Sequence, residues 1–284
     1  MKPNKYGLTG KGIGVVVMDT GIFPHVDFDS RIAAFADWIS HRPYPYDDNG
    51  HGTHVAGLLG GSGAAGRGKY RGVAPGCTII ALKVLDRNGN GKKKDVLSAL
   101  DWILANKERY GIRIVNISIG SNEAGRALQD KLIEGVERVW DSGLVVVTAA
   151  GNMGPKPGSI TAPGSSRKVI TVGSSDMLTG AQRISGRGPT RDCVCKPDIV
   201  APGNSITSCA PGNGRHPYAV KSGTSMSTPL IAGAAALALE KDPTLTNVEI
   251  KMLLKQSAED LGYPRNLQGW GKFNLDIFLD NVYN

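Results

Sequence analysis

The chain has 284 residues, 40% of them hydrophobic, with 38 glycines and a formal charge of +8. That is enough apolar material for one large α/β domain, and no run approaches the ~18 apolar residues of a membrane span. The basic residues are scattered apart from Lys92-Lys93-Lys94 and lack the interleaved aromatics of single-stranded nucleic acid binders, so neither nucleic acid nor membrane is an expected partner.

In chain order, the opening Met1-Lys2-Pro3-Asn4-Lys5-Tyr6-Gly7 lacks the apolar stretch of a signal peptide. A cytoplasmic protein is expected, or a secreted one if a leader was trimmed. The β-branched run Gly14–Asp19 reads as a buried strand. Residues 78–84, 112–119, 144–149 and 169–172 read the same way. Between them lie helical patterns. Asp95 can cap a helix to about residue 110, with Val96, Leu97, Leu100, Ile103 and Leu104 on one face. Residues 127–142 place Leu128, Leu132, Val136, Val139 and Trp140 together. An apolar helix covers 230–239, and Thr246-Asn247-Val248-Glu249 is a capping box for a helix to about 256. Continuous apolar strands alternating with helices predict a doubly wound, mainly parallel sheet with helices on both faces. Without repeat or linker, residues 1–284 read as a single domain.

The four cysteines, Cys77, Cys193, Cys195 and Cys209, read as free thiols. Cys193-Val194-Cys195 is too tight for an easy bridge, and as zinc ligands the four lack a C-x-x-C pair and a nearby histidine.

Sites in such sheets form beyond the carboxyl ends of the strands, where the pattern places Asp19, Asn152, His51 and Ser225. Ser225 stands at the start of a helix, where free N–H groups favour developing negative charge, although a serine there is commonly only a cap. His51, flanked by Gly50 and Gly52, has room to meet a serine and a substrate. The pair His51 and His54 lacks the Glu of the H-E-x-x-H zinc motif, since Gly52 fills that place, so no metal is expected and His54 reads as a buried partner. Asp19 ends an apolar strand, and a buried acid needs a partner. Beneath an imidazole it fixes the tautomer; alone it reads equally as a loop cap. Asp19-Thr20-Gly21 is not repeated, as an aspartic protease dyad would require. Asn152 can donate to an oxyanion or simply serve a turn.

Together these segments resemble the subtilisin family of serine proteases. Asp19-Thr20-Gly21, His51-Gly52-Thr53-His54-Val55-Ala56-Gly57 and Gly223-Thr224-Ser225-Met226-Ser227-Thr228-Pro229 match its three signatures in the family's order. Ala149-Ala150-Gly151-Asn152, Gly72-Val73-Ala74-Pro75, Asn116-Ile117-Ser118-Ile119-Gly120 and Lys196-Pro197-Asp198-Ile199-Val200-Ala201-Pro202-Gly203 resemble its oxyanion and framework segments. The resemblance implies Ser225 as nucleophile, His51 as general base, Asp19 as orienting carboxylate, and Asn152 with the Ser225 N–H as oxyanion hole. It also implies that Ser118, Ile119, Gly120 and Gly89, Asn90, Gly91 are edges pairing with an extended polypeptide, with Ala149, Ala150 and Gly151 beside them.

There are departures. Ser227-Thr228-Pro229-Leu230 replaces the family's common Ala-Thr-Pro-His. The Gly-rich, basic residues 60–71 lack the Asn-bearing loop that holds calcium in secreted subtilisins, so no cofactor is expected and structural calcium is in doubt. Residues 191–195 resemble an insertion, and no prodomain is expected ahead of Gly7; these features resemble the intracellular branch. The expectation is a monomeric endopeptidase of broad specificity, favouring an apolar residue before the scissile bond unless Glu123 draws basic side chains. The rivals are a dedicated processing protease and a non-catalytic binding module on the same fold. Nucleotide binding at Gly10-Lys11-Gly12-Ile13-Gly14 is disfavoured because those glycines precede the first strand rather than follow it.

Overall fold

The computed structural model describes residues 4–120, 126–212 and 216–283. Nine strands form one sheet: β1 (Gly14–Asp19), β2 (Ile32–Asp37), β3 (Thr78–Lys83), β4 (Ile112–Ile117), β5 (Val145–Ala149), β6 (Ile170–Ser174), β7 (Ile199–Ala201), β10 (Ala258–Glu259) and β11 (Lys272–Phe273). Their order is β10-β11-β7-β6-β5-β4-β1-β3-β2, parallel throughout except for the antiparallel β10–β11 pair. Strands β8 (Ile206–Cys209) and β9 (Tyr218–Lys221) make a separate antiparallel pair.

The helices are α1 (His51–Gly60), α2 (Lys93–Asn106), α3 (Arg126–Asp141), α4 (Thr224–Lys241), α5 (Asn247–Gln256), α6 (Arg265–Gln268) and α7 (Leu275–Tyr283). Helices α1 and α4 pack on each other, α1 on β1 and α4 on β4 to β7, while α2 packs on α3 and α3 on β5. Every residue of β1, β5 and β6 is buried, as a sheet covered on both faces demands. The apolar side chains of these layers make one continuous core. This is the expected doubly wound architecture.

Several boundaries differ from the sequence reading. Helix α2 starts at Lys93 after an extended Lys92, so Asp95 is not its cap but lies in its first turn, where the dipole favours an acid. It stops at Asn106 rather than 110, because Gly111 at φ +57° turns the chain into β4. Strand β4 ends at Ile117, which frees Ser118–Gly120 from the ladder. Helix α4 begins six residues before the apolar run 230–239 and passes through Pro229. The capping box of α5 forms as expected, with Thr246 and Glu249 bonding reciprocally. Gly14, the first residue of β1, is required by packing, since a Cβ there would lie 2.5 Å from the Tyr110 carbonyl.

The sheet order reverses at β1, which has β3 on one side and β4 on the other. Such a switch point leaves a crevice beyond the strands' carboxyl ends. The ends of β5, β4, β1 and β3 lead to Ala150–Asn152, Ser118–Gly120, Thr20 and Leu85–Gly91 respectively.

Candidate active site

Asp19 is wholly buried at the end of β1. Its Oδ1 accepts from the Thr20 N–H and lies 2.7 Å from His51 Nδ1, both on one oxygen. The start of α1 holds the imidazole in place. Its first N–H groups are met from outside the helix: His51 donates to Asn49 Oδ1, Gly52 to Thr20 Oγ1, and Thr53 to Asp47 Oδ2. Gly52 has to be glycine, because a Cβ there would stand 2.2 Å from the Gly21 carbonyl and 3.1 Å from Asp19 Cβ. The Asp47 carboxylate also receives Thr20 Oγ1, Asn49 N, Gly50 N and Thr53 Oγ1. Burial works against its charge, yet these donors, Thr53 foremost, hold its pKa below the ordinary carboxylate value.

For His51, burial disfavours the charged ring, and Asp19 more than offsets that, with help from Asp47 and opposition from Lys221. The imidazole pKa therefore stands above its ordinary value. His54, one turn on, is fully buried, and its Nε2–H donates to the Ile206 and Ala219 carbonyls at 3.0 and 3.1 Å. It ties α1 to the β8–β9 pair, the buried-partner role expected of it.

Ser225 is the second residue of α4. Its Oγ donates to the Ser118 carbonyl at 3.0 Å, and no hydrogen bond joins it to His51. A turn about χ1 would redirect the hydroxyl, and such contacts commonly tighten only with substrate bound. Pro229 contributes here: lacking an N–H, it leaves the Ser225 carbonyl without its helical donor. Ser118 Oγ takes that place at 3.3 Å, linking α4 to the end of β4. Asn152 Oδ1 accepts from both the N–H and the hydroxyl of Thr224. With Oδ1 so occupied, the Nδ2 hydrogens remain for the cleft. Gly223, at φ +148°, passes so close that a Cβ would lie 3.1 Å from that nitrogen.

His51, Ser225, Asn152, Ser118, Ile119, Gly120, Gly89, Asn90, Gly91, Ala149 and Gly151 all line one cleft of about 770 Å³. Asp19 stands behind His51, away from solvent. Ala150 departs from the expectation: it is buried, with its N–H on the Val172 carbonyl and its carbonyl accepting the Thr161 N–H, so it supports the wall rather than facing the cleft. Glu123 falls outside the described residues.

Sequence reasoning missed Thr161. Its Oγ1 is buried, has no hydrogen-bond partner, and packs between the backbones of Gly120 and Gly151, where a Cβ on either glycine would approach within 2.3 and 2.5 Å. It lines the floor between the two walls of the cleft. It also missed Thr224 and Asp47; a carboxylate four residues ahead of a helix start is the one signal that pointed to the latter.

All four cysteines are free, Cys77 and Cys209 buried, Cys193 and Cys195 exposed. Cys209 does have a histidine neighbour, contrary to the sequence reading: it lies with His25 and Asp27. The donor atoms there are already engaged. Asp27 Oδ1 accepts from Ala65 N, Oδ2 accepts from Gly63 N, Tyr218 Oη and Cys209 Sγ, and His25 Nδ1 accepts from Asp27 N. Gly63 and Ala65 lie in the segment whose calcium loop is unrecognisable. They turn amide hydrogens, not carbonyl oxygens, toward that carboxylate, a donor set unsuited to calcium.

Fold and cleft together define a peptidase of the subtilisin type. The subtilase family profile matches residues 10–271, and the chain belongs to that family. It is 43% identical to serine protease AprX of Bacillus subtilis (strain 168), over 96% of this chain and 67% of that protein. It is 37% identical to subtilisin Savinase of Lederbergia lenta, over 95% and 91%. Among solved structures, a cold adapted subtilisin-like serine proteinase superposes with a TM-score of 0.75 at 32% identity, covering 94% of this chain and 88% of the other. The protein is thus a serine endopeptidase that acts on polypeptides. Among the described residues, no helix is long and apolar enough to cross a membrane.

Proposed function

We propose that this chain hydrolyses peptide bonds with broad specificity through an acyl-enzyme on Ser225, with His51 as general base and Asp19 as its orienting carboxylate. The observation that carries this reading is the 2.7 Å contact between His51 Nδ1 and Asp19 Oδ1 at the back of the cleft that Ser225 and Asn152 line. Asp19 as acceptor keeps the proton on Nδ1, which leaves Nε2 free to take the Ser225 proton. Attack by Oγ places negative charge on the former carbonyl oxygen, and the Asn152 Nδ2 hydrogens and the Ser225 N–H at the dipole end of α4 would receive it. His51 then gives its proton to the leaving amine, and water repeats the sequence on the ester.

Ser118–Gly120 and Gly89–Gly91 are backbone segments that line the cleft. An extended substrate laid between them is held by main-chain bonds, which tolerate many sequences. The side chain before the scissile bond would enter between Gly120 and Gly151. That space is uncharged and floored by Thr161, which suits an apolar residue of moderate size. We read the chain as a monomer, and four free thiols suit a reducing compartment such as the cytoplasm.

The test is intact mass after a fluorophosphonate, beside digestion of several unrelated denatured proteins. A single adduct on the parent, none on Ser225→Ala, and cleavage of every substrate are expected. An adduct with cleavage of only one substrate would instead support a dedicated processing enzyme, and no adduct on folded protein would support a binding module.

A further inference from the structure

One buried cation behind the cleft has no role in the mechanism above. Lys83 ends β3, has no exposed surface, and pairs in register with Asp19 across the parallel β1–β3 ladder. Its three ammonium hydrogens have three acceptors: the Thr20 carbonyl at 2.5 Å, Asp48 Oδ1 at 2.7 Å and the Leu85 carbonyl at 2.9 Å. The Tyr46 ring lies 5.0 Å from Nζ. Such a group is fully satisfied, and it joins three segments that are separate in the sequence.

Each of those segments carries part of the reaction. Thr20 donates its N–H to the Asp19 oxygen that faces His51, and its hydroxyl accepts from Gly52 at the start of α1. Asp48 stands three residues ahead of His51. Leu85 lines the cleft, donates to the Asp19 carbonyl, and leads into the loop closed by Asp86 and Asn90 that presents Gly89–Gly91. Stability alone does not account for the lysine, because a buried ion pair is commonly no better for folding than an apolar side chain of similar volume. Pairwise bonds already link these segments: Thr20 Oγ1 to Asp47, Asn49 Nδ2 to the Arg87 carbonyl, and Leu85 N to the Asp19 carbonyl. What the ammonium adds is a single buried centre that bonds all three at once.

We propose that Lys83 is a positioning residue of the peptidase reaction: its ammonium locks the Thr20, Asp48 and Leu85 segments into one block and so sets the approach of Asp19 to His51. This rests on the triad proposed above. Misplacement of reacting groups by about 1 Å can cost about 10²-fold. Lys83→Met keeps the volume and removes all three bonds.

The experiment measures kcat and KM per active site, titrated with a fluorophosphonate, together with the downfield proton resonance of the His51–Asp19 hydrogen bond. For Lys83→Met we expect kcat lowered by about 10- to 100-fold, KM within about twofold of the parent, and a shifted downfield resonance. A lower melting temperature with kcat and the resonance unchanged would overturn the proposal and leave Lys83 purely structural. If Lys83→Met does not fold, Asp48→Ala carries the test, since its side chain is partly exposed: a fall in kcat at constant KM supports the proposal and an unchanged kcat overturns it. Failure of the triad reading is distinguishable, because the parent itself would then take no adduct.

Discussion

His51 has to be neutral to accept the Ser225 proton, so its pKa sets the acid limb of the rate profile. Burial alone would move that limb below the ordinary imidazole value of about 6.5. Asp19 at 2.7 Å overrides burial and raises the pKa, so the limb lies on the alkaline side of that value. Measured as kcat/KM against pH at constant ionic strength, half-maximal activity should fall above pH 6.5. Lys221 opposes Asp19 at His51, so Lys221→Ala should move the limb higher still. A parent limb at or below 6.5 would mean that Asp19 does not reach His51 in solution.

At this scale legibility followed local chemistry. Asp19, His51, Ser225 and Asn152 each stand where an apolar run meets a glycine turn, a pattern visible in one dimension. Thr161, Asp47 and Lys83 do not, because their roles depend on which strands become neighbours. The pairing of Asp19 with Lys83 is a fact of register. A lone lysine in the apolar run 78–84 was the only trace it left in the sequence.

At the scale of elements, α1 carries a second titrating device. His54 is held neutral, its pKa pushed down to about 4 by burial. In the unfolded chain it titrates near 6.5, so below that pH the unfolded state binds a proton that the folded state refuses. The stability His54 contributes is complete above about pH 6.5 and is lost as pH falls toward 4, by up to about 3 kcal/mol at 1.36 kcal/mol per unit. Urea unfolding at pH 7 and pH 4.5, in a Ser225→Ala background that prevents self-digestion, should show this loss. His54→Gln cannot titrate and should narrow the difference between the two pH values by about 2–3 kcal/mol. An unchanged difference would place the acid sensitivity elsewhere. The long elements were readable because their apolar periods are strong: β1, β3 to β6, and α2 to α5. β2, β7 and the short β8 to β11 were not. β7 to β11 have two to four residues, β2 buries only Asp37, and β9 buries none; tertiary contact rather than local pattern makes them strands.

For the whole molecule the open question is what holds its loops. Two regions answer with the chain's own groups. The segment around Gly63 and Ala65 is pinned by its amides to the Asp27 carboxylate. On the far side, the carbonyls of Arg167, Lys168 and Val169 converge on Lys251 Nζ at 3.2, 2.8 and 3.0 Å, with Asp198 Oδ1 at 3.6 Å. Lys196 Nζ adds bonds to Asp198 Oδ2 at 2.5 Å and to the Val169 carbonyl at 2.9 Å. Clustered carbonyls and a carboxylate are the usual donors of a hard cation, and here two ammonium groups occupy them. Burial lowers the Lys251 pKa to about 8, so near neutrality the site still holds its charge. We therefore propose that folding needs no metal. A site filled at about 100 times its Kd would contribute about 2.7 kcal/mol, or about 5–10 °C in a protein of this size. The Ser225→Ala protein should melt within about 1 °C in millimolar calcium and in EDTA, well inside that range. A calcium-dependent rise of several degrees would show that a cation site exists after all. Lys251→Ala would then locate it: if the rise grows when the ammonium is removed, the ion competes for those three carbonyls.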